Sequence, residues 1–435
     1  MTSATTSPGR RFSLPAALLL FCALALRPAD LFAGDEKVWL TAGQDAAREM
    51  VVSWASAVEI RTALLHYGPT RRPGVAPVRY PLVANAAIKE CFGGKLGCVY
   101  HAPLKKLKPD TEYAYRIVAE GRALAEATFR TAPTDACEPF SFAVFGDSHS
   151  LDGGAAKRYD ELLLDVQAHG ARVAFNMGDM VNRGDKADEW ADFLAQSTVA
   201  GRRLPIMPVM GNHDHGPGKG NAQHMSRIFR TPANNEPNLR SHYSVRYGGA
   251  LFAVLSNHDG DPAEQAAWLD KELTQTDAVW KFVFIHEPFL TCALFGHEPD
   301  EEKVGRYFLP LFRKHRVDMV FSGHNHMYEL FQPYDGEKFV SDPAKGTIHV
   351  TSGGAAKGER IMLLPPSFSC EGRVQSAMRY HFLMITVEGD SLSLEFWDEG
   401  GLSGGGLTGP EEHLRLVKPG TPVCHPETVP QTPSP

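Results

Sequence analysis

The chain has no run of lysine and arginine long enough to follow a phosphate backbone, and its formal net charge is -7. Binding to duplex nucleic acid is therefore not expected. None of the seven cysteines sits in a CxxC pair, which argues against a thiolate metal site. No internal repeat is present, so repeat architectures are excluded. Past the N-terminus no apolar segment is long enough to cross a bilayer, so no membrane span is expected in the mature chain. What is present is an ordinary globular composition, 43% hydrophobic and 22% charged, in 435 residues. That length exceeds what one core usually serves, and two domains are expected.

The N-terminus reads as an export signal over residues 1–33. GRRF supplies positive charge, and LPAALLLFCALAL, residues 14 to 26, supplies an apolar core too short to span a membrane. Cleavage is expected between Ala25 and Gly34. Arg10 and Arg11 fit either a twin-arginine signal or an ordinary secretory one. The destination is periplasmic or extracellular. Cys22 lies in the signal, and the remaining six, Cys91, Cys98, Cys137, Cys292, Cys370 and Cys424, are an even set in an exported chain. Disulfides are expected: Cys91 with Cys98 around the FGGKLG loop, Cys292 with Cys370, and Cys137 with Cys424, one choice among the fifteen that six cysteines allow.

Residues 37 to 132 alternate short apolar runs (MVVSWAS, TALLHYG, TEYAYRIVAE) with turn signals and contain no clear helix. This is the pattern of a small antiparallel sandwich. LKPDTEYAYRI resembles the tyrosine corner of fibronectin-like sandwiches, with Tyr113 and Trp54 as packing residues. After the connector TAPTDACEP, strands alternate with helical segments from residue 141 to 400, indicating an α/β domain. Within it DPAEQAAWLDKEL is a legible helix, with Asp261 as cap, Pro262 at the first position, Glu264 to complete a capping box, and Trp268 and Leu269 facing a core. Residues 409–435 are proline-rich and read as a loose tail.

Five apolar runs in the second domain end in metal-capable residues. FAVFGDSH ends at Asp147 and His149, VAFNMGD at Asp179, RLPIMPVMGNHD at Asn212, His213 and Asp214, KFVFIHEP at His286, and VDMVFSGHNH at His324 and His326. Loops at the carboxyl ends of strands in an open α/β sheet share one crevice, so residues spread over about 180 positions can meet there. Glycine precedes Asp147, Asp179, Asn212 and His324, where a strand must turn sharply. Two aspartates, one asparagine and four histidines suit iron, manganese or zinc better than calcium. A carboxylate has two oxygens and can bridge two ions about 4 Å apart; Asp179 is the natural bridge.

GDSH, GDMVNRG, GNHD, the lone His286 and GHNH, in this order, resemble the calcineurin-like metallophosphoesterases over residues 141 to 400. VVSWAS, LHYG, LKPDTEYAY and FRTAP resemble the domain that precedes the catalytic one in purple acid phosphatases. The resemblance implies a fibronectin type III-like sandwich followed by two sheets flanked by helices, an αββα domain. It implies one metal on Asp147, His149, Asp179 and His326, and a second on Asp179, Asn212, His286 and His324. The chain departs from the purple enzymes where their tyrosine binds ferric iron: Asn182 stands there, and His149 offers an imidazole instead. The identity of both metals therefore stays open.

The expected activity is hydrolysis of a small phosphate monoester by a metal-activated hydroxide. His213 would hydrogen-bond the transferring group or protonate the leaving alkoxide, or simply pack behind the ligands, and Asp214 would orient it. Arg183 resembles an arginine that contacts phosphate in related phosphatases, and a surface salt bridge is the alternative. His215 and His258 have no place in the family pattern, and Gly353 with Gly354 read as a structural turn. A phosphodiesterase or nucleotidase would use the same centre, the choice resting on loops 150–157, 215–240 and 288–300. A non-catalytic adhesion protein is the alternative of another class; the complete ligand set opposes it.

Overall fold

The computed structural model describes residues 36–70, 80–149, 153–216, 223–234, 240–293, 305–355, 370–399, 407–418 and 424. The expected export signal lies outside these residues, as do parts of the loops 150–157, 215–240 and 288–300.

Strands β1 (Lys37–Ala42), β2 (Met50–Ser56), β3 (Ala63–Pro69), β4 (Leu82–Asn85), β5 (Ile88–Gly93), β6 (Gly97–Leu104), β7 (Glu112–Ala119) and β8 (Arg122–Arg130) form the N-terminal sandwich. One sheet runs β1-β2-β6-β5 and the other β4-β3-β7-β8, every pairing antiparallel. Trp54 is fully buried between them and stacks on Tyr100 with ring centroids 5.8 Å apart. The Tyr113 hydroxyl accepts from the Lys108 backbone N–H at 2.9 Å, which is the tyrosine corner that the sequence predicts. The three expected disulfides are present: Cys91–Cys98, Cys137–Cys424 and Cys292–Cys370.

The second domain runs β9 (Phe140–Phe145), α1 (Gly153–Ala168), β10 (Val173–Asn176), α2 (Ala187–Gly201), β11 (Ile206–Pro208), α3 (Asn212–His215), α4 (Gln223–Ile228), β12 (Tyr243–Tyr247), β13 (Ala250–Val254), α5 (Pro262–Gln275) and β14 (Trp280–Phe284). It continues through α6 (Arg306–His315), β15 (Met319–Ser322), β16 (Tyr328–Phe331), β17 (Ile348–Ser352), β18 (Arg373–Ala377), β19 (His381–Glu388), β20 (Ser391–Glu399) and β21 (Leu407–Val417). The two sheets are ordered β11-β10-β9-β19-β20-β21 and β12-β13-β14-β15-β17-β16-β18. Phe142 and Phe175 of the first meet Phe252, Phe282, Phe284 and Phe321 of the second in one apolar layer. On the outer faces, Tyr159, Leu163, Trp190 and Phe193 of α1 and α2 cover the first sheet, and Trp268, Leu269, Phe308 and Phe312 of α5 and α6 cover the second. The αββα architecture follows from these three layers of apolar side chains.

Asp261 caps α5 as predicted, its carboxylate accepting from the backbone N–H groups of Ala263 and Glu264. The proline-rich end departs from the expected loose tail. Residues 407–417 form β21 along the edge of β20, so ordered structure extends past residue 400. The reason lies in a half-hidden alternation: Leu416 and Leu414 pack on the core, and His413 stacks on Phe396 with centroids 5.2 Å apart. Without β21 those apolar groups on β20 would face water.

Phe175 is fully buried and stacks on Phe284 at a centroid distance of 4.0 Å. Phe175→Ala is expected to cost about 3–5 kcal/mol, because the tight inter-sheet layer cannot collapse onto the space left. Urea unfolding should show a lower midpoint with an unchanged slope.

Candidate metal centre

β9, β10, β14 and β15 lie side by side or face each other with their carboxyl ends at one rim, and the short β11 ends there too. The loops leaving them bend at once. Asp147, Asp179 and His324 have φ of 61°, 51° and 66°, in a region that side-chain-bearing residues rarely occupy. Backbone bonds from Asp147 N to Gly178 O and from His149 N to Asp179 O, 2.9 and 2.8 Å, hold the first two turns together. Gly178 and Gly211 permit the crowding. A Cβ on Gly178 would lie 2.6 Å from His286 Nδ1, and one on Gly211 2.2 Å from Asp179 Oδ1.

All seven candidate ligands come together. Asp179 divides its oxygens between two groups. Oδ2 lies 3.7 Å from His149 Nε2, which is 3.4 Å from His326 Nε2; that atom is in turn 3.6 Å from Asp147 Oδ1. Oδ1 lies 3.5 Å from His286 Nε2, which is 3.1 Å from Asn212 Oδ1 and 3.3 Å from His324 Nδ1. The imidazole tautomers follow from their outer partners. His286 Nδ1 faces the Met177 carbonyl at 2.7 Å and His149 Nδ1 faces Asn182 Oδ1 at 3.1 Å. Each outer partner only accepts, so each Nδ1 carries a proton and each Nε2 faces inward, where it can offer a lone pair to a metal or hold a second proton.

Inward-facing acceptors this close repel unless something positive lies between them. Asp147 Oδ1 is fully buried and has no hydrogen-bond partner among the described residues. A buried carboxylate oxygen left in that state is costly, and a cation would satisfy it. The donor atoms of Asp147, His149 and His326, and those of Asp179, His286 and His324, fall within 4.8 Å of one another in each trio. The residues present therefore fit two cations sharing Asp179.

Electrostatics are consistent with this. Burial, with Asp179 nearby, holds the Asp147 carboxyl well above the usual range. Burial also opposes the Asp179 charge, but His286, His149 and His213 outweigh it and hold that carboxyl well below the usual range. Burial disfavours charge on His286, while Asp179 and Asp147 push it up to about 10. A proton on His286 thus occupies the place a metal would take, so metal loading releases protons and weakens as pH falls.

The other predicted residues divide. His213 lies against His149, ring centroids 4.3 Å apart; its N–H backbone group donates to Asp179 Oδ1 at 2.9 Å, and its ring Nδ1 faces the Asn182 carbonyl at 2.9 Å. Asp214 does not orient it. That carboxylate is buried and accepts from Met180, Val181 and Gly211 backbone N–H groups, bracing the two ligand loops. Burial, then Asp179, raises Asp214 to about 7. Arg183 is half exposed and pairs with Asp185 at 3.2 Å, the salt-bridge alternative. Asn182 is the residue whose part the sequence hid: its side chain sets His149 and its carbonyl sets His213, and only its place in GDMVNRG hinted at either. His258 sits 3.4 Å from Glu287 and 6.1 Å, ring to ring, from His286, beside the cluster but outside it.

Residues 140–328 match the family model for calcineurin-like phosphoesterases, and residues 36–131 match that for the purple acid phosphatase N-terminal domain. Residues 140–328 thus form a calcineurin-like phosphoesterase domain. An uncharacterised protein of Mycobacterium tuberculosis is 28% identical to the phosphoesterase over 74% of this chain and 70% of its own. The phosphoenolpyruvate phosphatase of Allium cepa is 26% identical over 77% and 73%. The fold is that of purple acid phosphatase PPD1 from yellow lupin, with a TM-score of 0.72 at 18% identity, covering 87% of this chain and 73% of that one. The chain is thus a metal-dependent phosphoric ester hydrolase whose clustered residues could hold metal ions.

Proposed function

We propose that the protein is an exported phosphatase that hydrolyses small phosphate monoesters, with one metal on Asp147, His149, Asp179 and His326 and the second on Asp179, Asn212, His286 and His324. The observation that carries this reading is the division of the Asp179 oxygens between two groups of inward-facing acceptors. Two ions of iron, manganese or zinc would supply Lewis acidity, lowering the pKa of water and neutralising the phosphoryl oxygens. The chain's own residues do the rest. Asn182 fixes His149 and His213 together, so the ligand and the proton donor keep one spacing. Because the Asn182 carbonyl only accepts, His213 Nδ1 is protonated in either charge state, and Nε2 is the atom that delivers a proton to the leaving alkoxide. A monoester substrate is supported by the relative named for phosphoenolpyruvate, itself a monoester. Export is supported by the three disulfides.

The test is a panel of monoesters, diesters and nucleotides assayed on protein of measured metal content. Monoesters should turn over fastest. A preference for diesters or nucleotides would reassign the substrate, and absence of turnover with two metals bound would make the domain a binding module. An optical prediction accompanies it. With Asn182 in place of a tyrosine ligand, the active protein should lack a strong violet band whatever metals it carries; purple active protein would contradict the assigned ligands.

A further inference from the structure

A second concave site lies between the two domains. Residues after β1, strands β2, β5 and β6, and the segment 230–234 with Arg240 line a half-open cavity of about 350 Å³, which shares no residue with the metal cluster. Its charged lining is Arg230, Arg240, Lys105 and Glu49. Three cations face one carboxylate in a chain whose net charge is -7. Glu49 lies 3.8 Å from Lys105, at the exposed end. Among the described residues, the Arg240 guanidinium reaches the Thr231 carbonyl alone, and the Arg230 guanidinium has no hydrogen bond or ion pair. Glu90, the carboxylate whose charge acts on Arg230, is bound by Arg227 at 2.9 Å. His101 forms a neutral wall: burial drops it to about 3, and its nitrogens are taken by Ser53 and the Arg227 carbonyl.

Two half-buried guanidinium groups without carboxylate partners among the described residues are an unstable arrangement by themselves. Burial and the neighbouring Arg230 pull Arg240 down to about 10, so each arginine adds to the cost of charging the other. A multivalent anion relieves both, since a guanidinium fork matches a tetrahedral oxyanion with paired N–H donors. We propose that this cavity binds a small phosphate-type dianion between Arg230 and Arg240, with Lys105 closing its mouth. The shared chemistry is the phosphate group, free or carried by an organic molecule.

The experiment is equilibrium dialysis of the full-length, metal-loaded protein against labelled inorganic phosphate, repeated with phenylphosphonate as a group that resists hydrolysis. The Arg230→Gln/Arg240→Gln protein should bind one phosphate equivalent fewer than the wild type while its turnover is unchanged. Binding of phenylphosphonate alone would assign the site to organic phosphates, and of inorganic phosphate to the free ion. Should the double variant not fold, Lys105→Gln, at an exposed position, should weaken the same class of sites by about tenfold, the size of one charge-assisted bond. Equal stoichiometry and affinity in wild type and variants, or equal competition by acetate, would overturn the proposal.

Discussion

Asp179→Ala is expected to lose both metals and essentially all turnover. The substitution removes an oxygen from each group of acceptors at once: Oδ2 from beside His149 and Oδ1 from beside His286. It also frees the His213 backbone N–H, which donates to Oδ1 at 2.9 Å. Two mutually repelling cations about 4 Å apart need a shared anion, and among the described residues Asp179 is the carboxylate whose two oxygens face the two groups. Metal analysis after exhaustive dialysis checks the point. A variant that retains two equivalents of metal would show that Asp179 is not the bridge. Because the wild-type site competes with protons for the same lone pairs, metal retention should also fall as pH is lowered, in the direction set by the raised His286.

His213→Ala should do the opposite: retain both metals and lose about a hundredfold or more in kcat, the usual contribution of general acid catalysis. Its ring lies against His149 and its Nδ1 faces the Asn182 carbonyl, while one of its ring nitrogens falls with His149 and Asp179 in a third group of potential donor atoms within 4.8 Å of one another, so metal retention in the variant is what separates a proton donor from a ligand. Substrates with good leaving groups, such as aryl phosphates, should be slowed less than alkyl phosphates, since they need less protonation in the transition state. Loss of metal on substitution, or equal slowing of both substrate types, would make His213 a ligand or a packing residue instead.

The metal cluster was legible because its chemistry is confined to strand ends. Five apolar runs closing on Asp, Asn or His could be read without knowing their order in the sheets, since the carboxyl ends of such strands converge whatever the order. The sandwich was legible for a similar reason, as turn signals and alternating side chains are local features. What stayed hidden depends on contacts between distant segments. The left-handed turns at Asp147, Asp179 and His324 leave no mark beyond a preceding glycine. Asn182 works partly through its backbone carbonyl, which residue type does not encode. β21 was obscured by Gly409 and Pro410, because its apolar residues gain their meaning only against the open edge of β20. Arg230 and Arg240 meet Lys105 across more than 120 positions, in segments with neither motif nor periodicity.

The most direct measurement is anomalous diffraction from crystals of protein that has been shown to hydrolyse a phosphate monoester. Two anomalous scatterers are expected roughly 3.5–4 Å apart, one on either side of the Asp179 carboxylate, with Asp147, His149 and His326 around the first and Asn212, His286 and His324 around the second. A single scatterer, or two that do not share Asp179, in protein of full activity would contradict this arrangement.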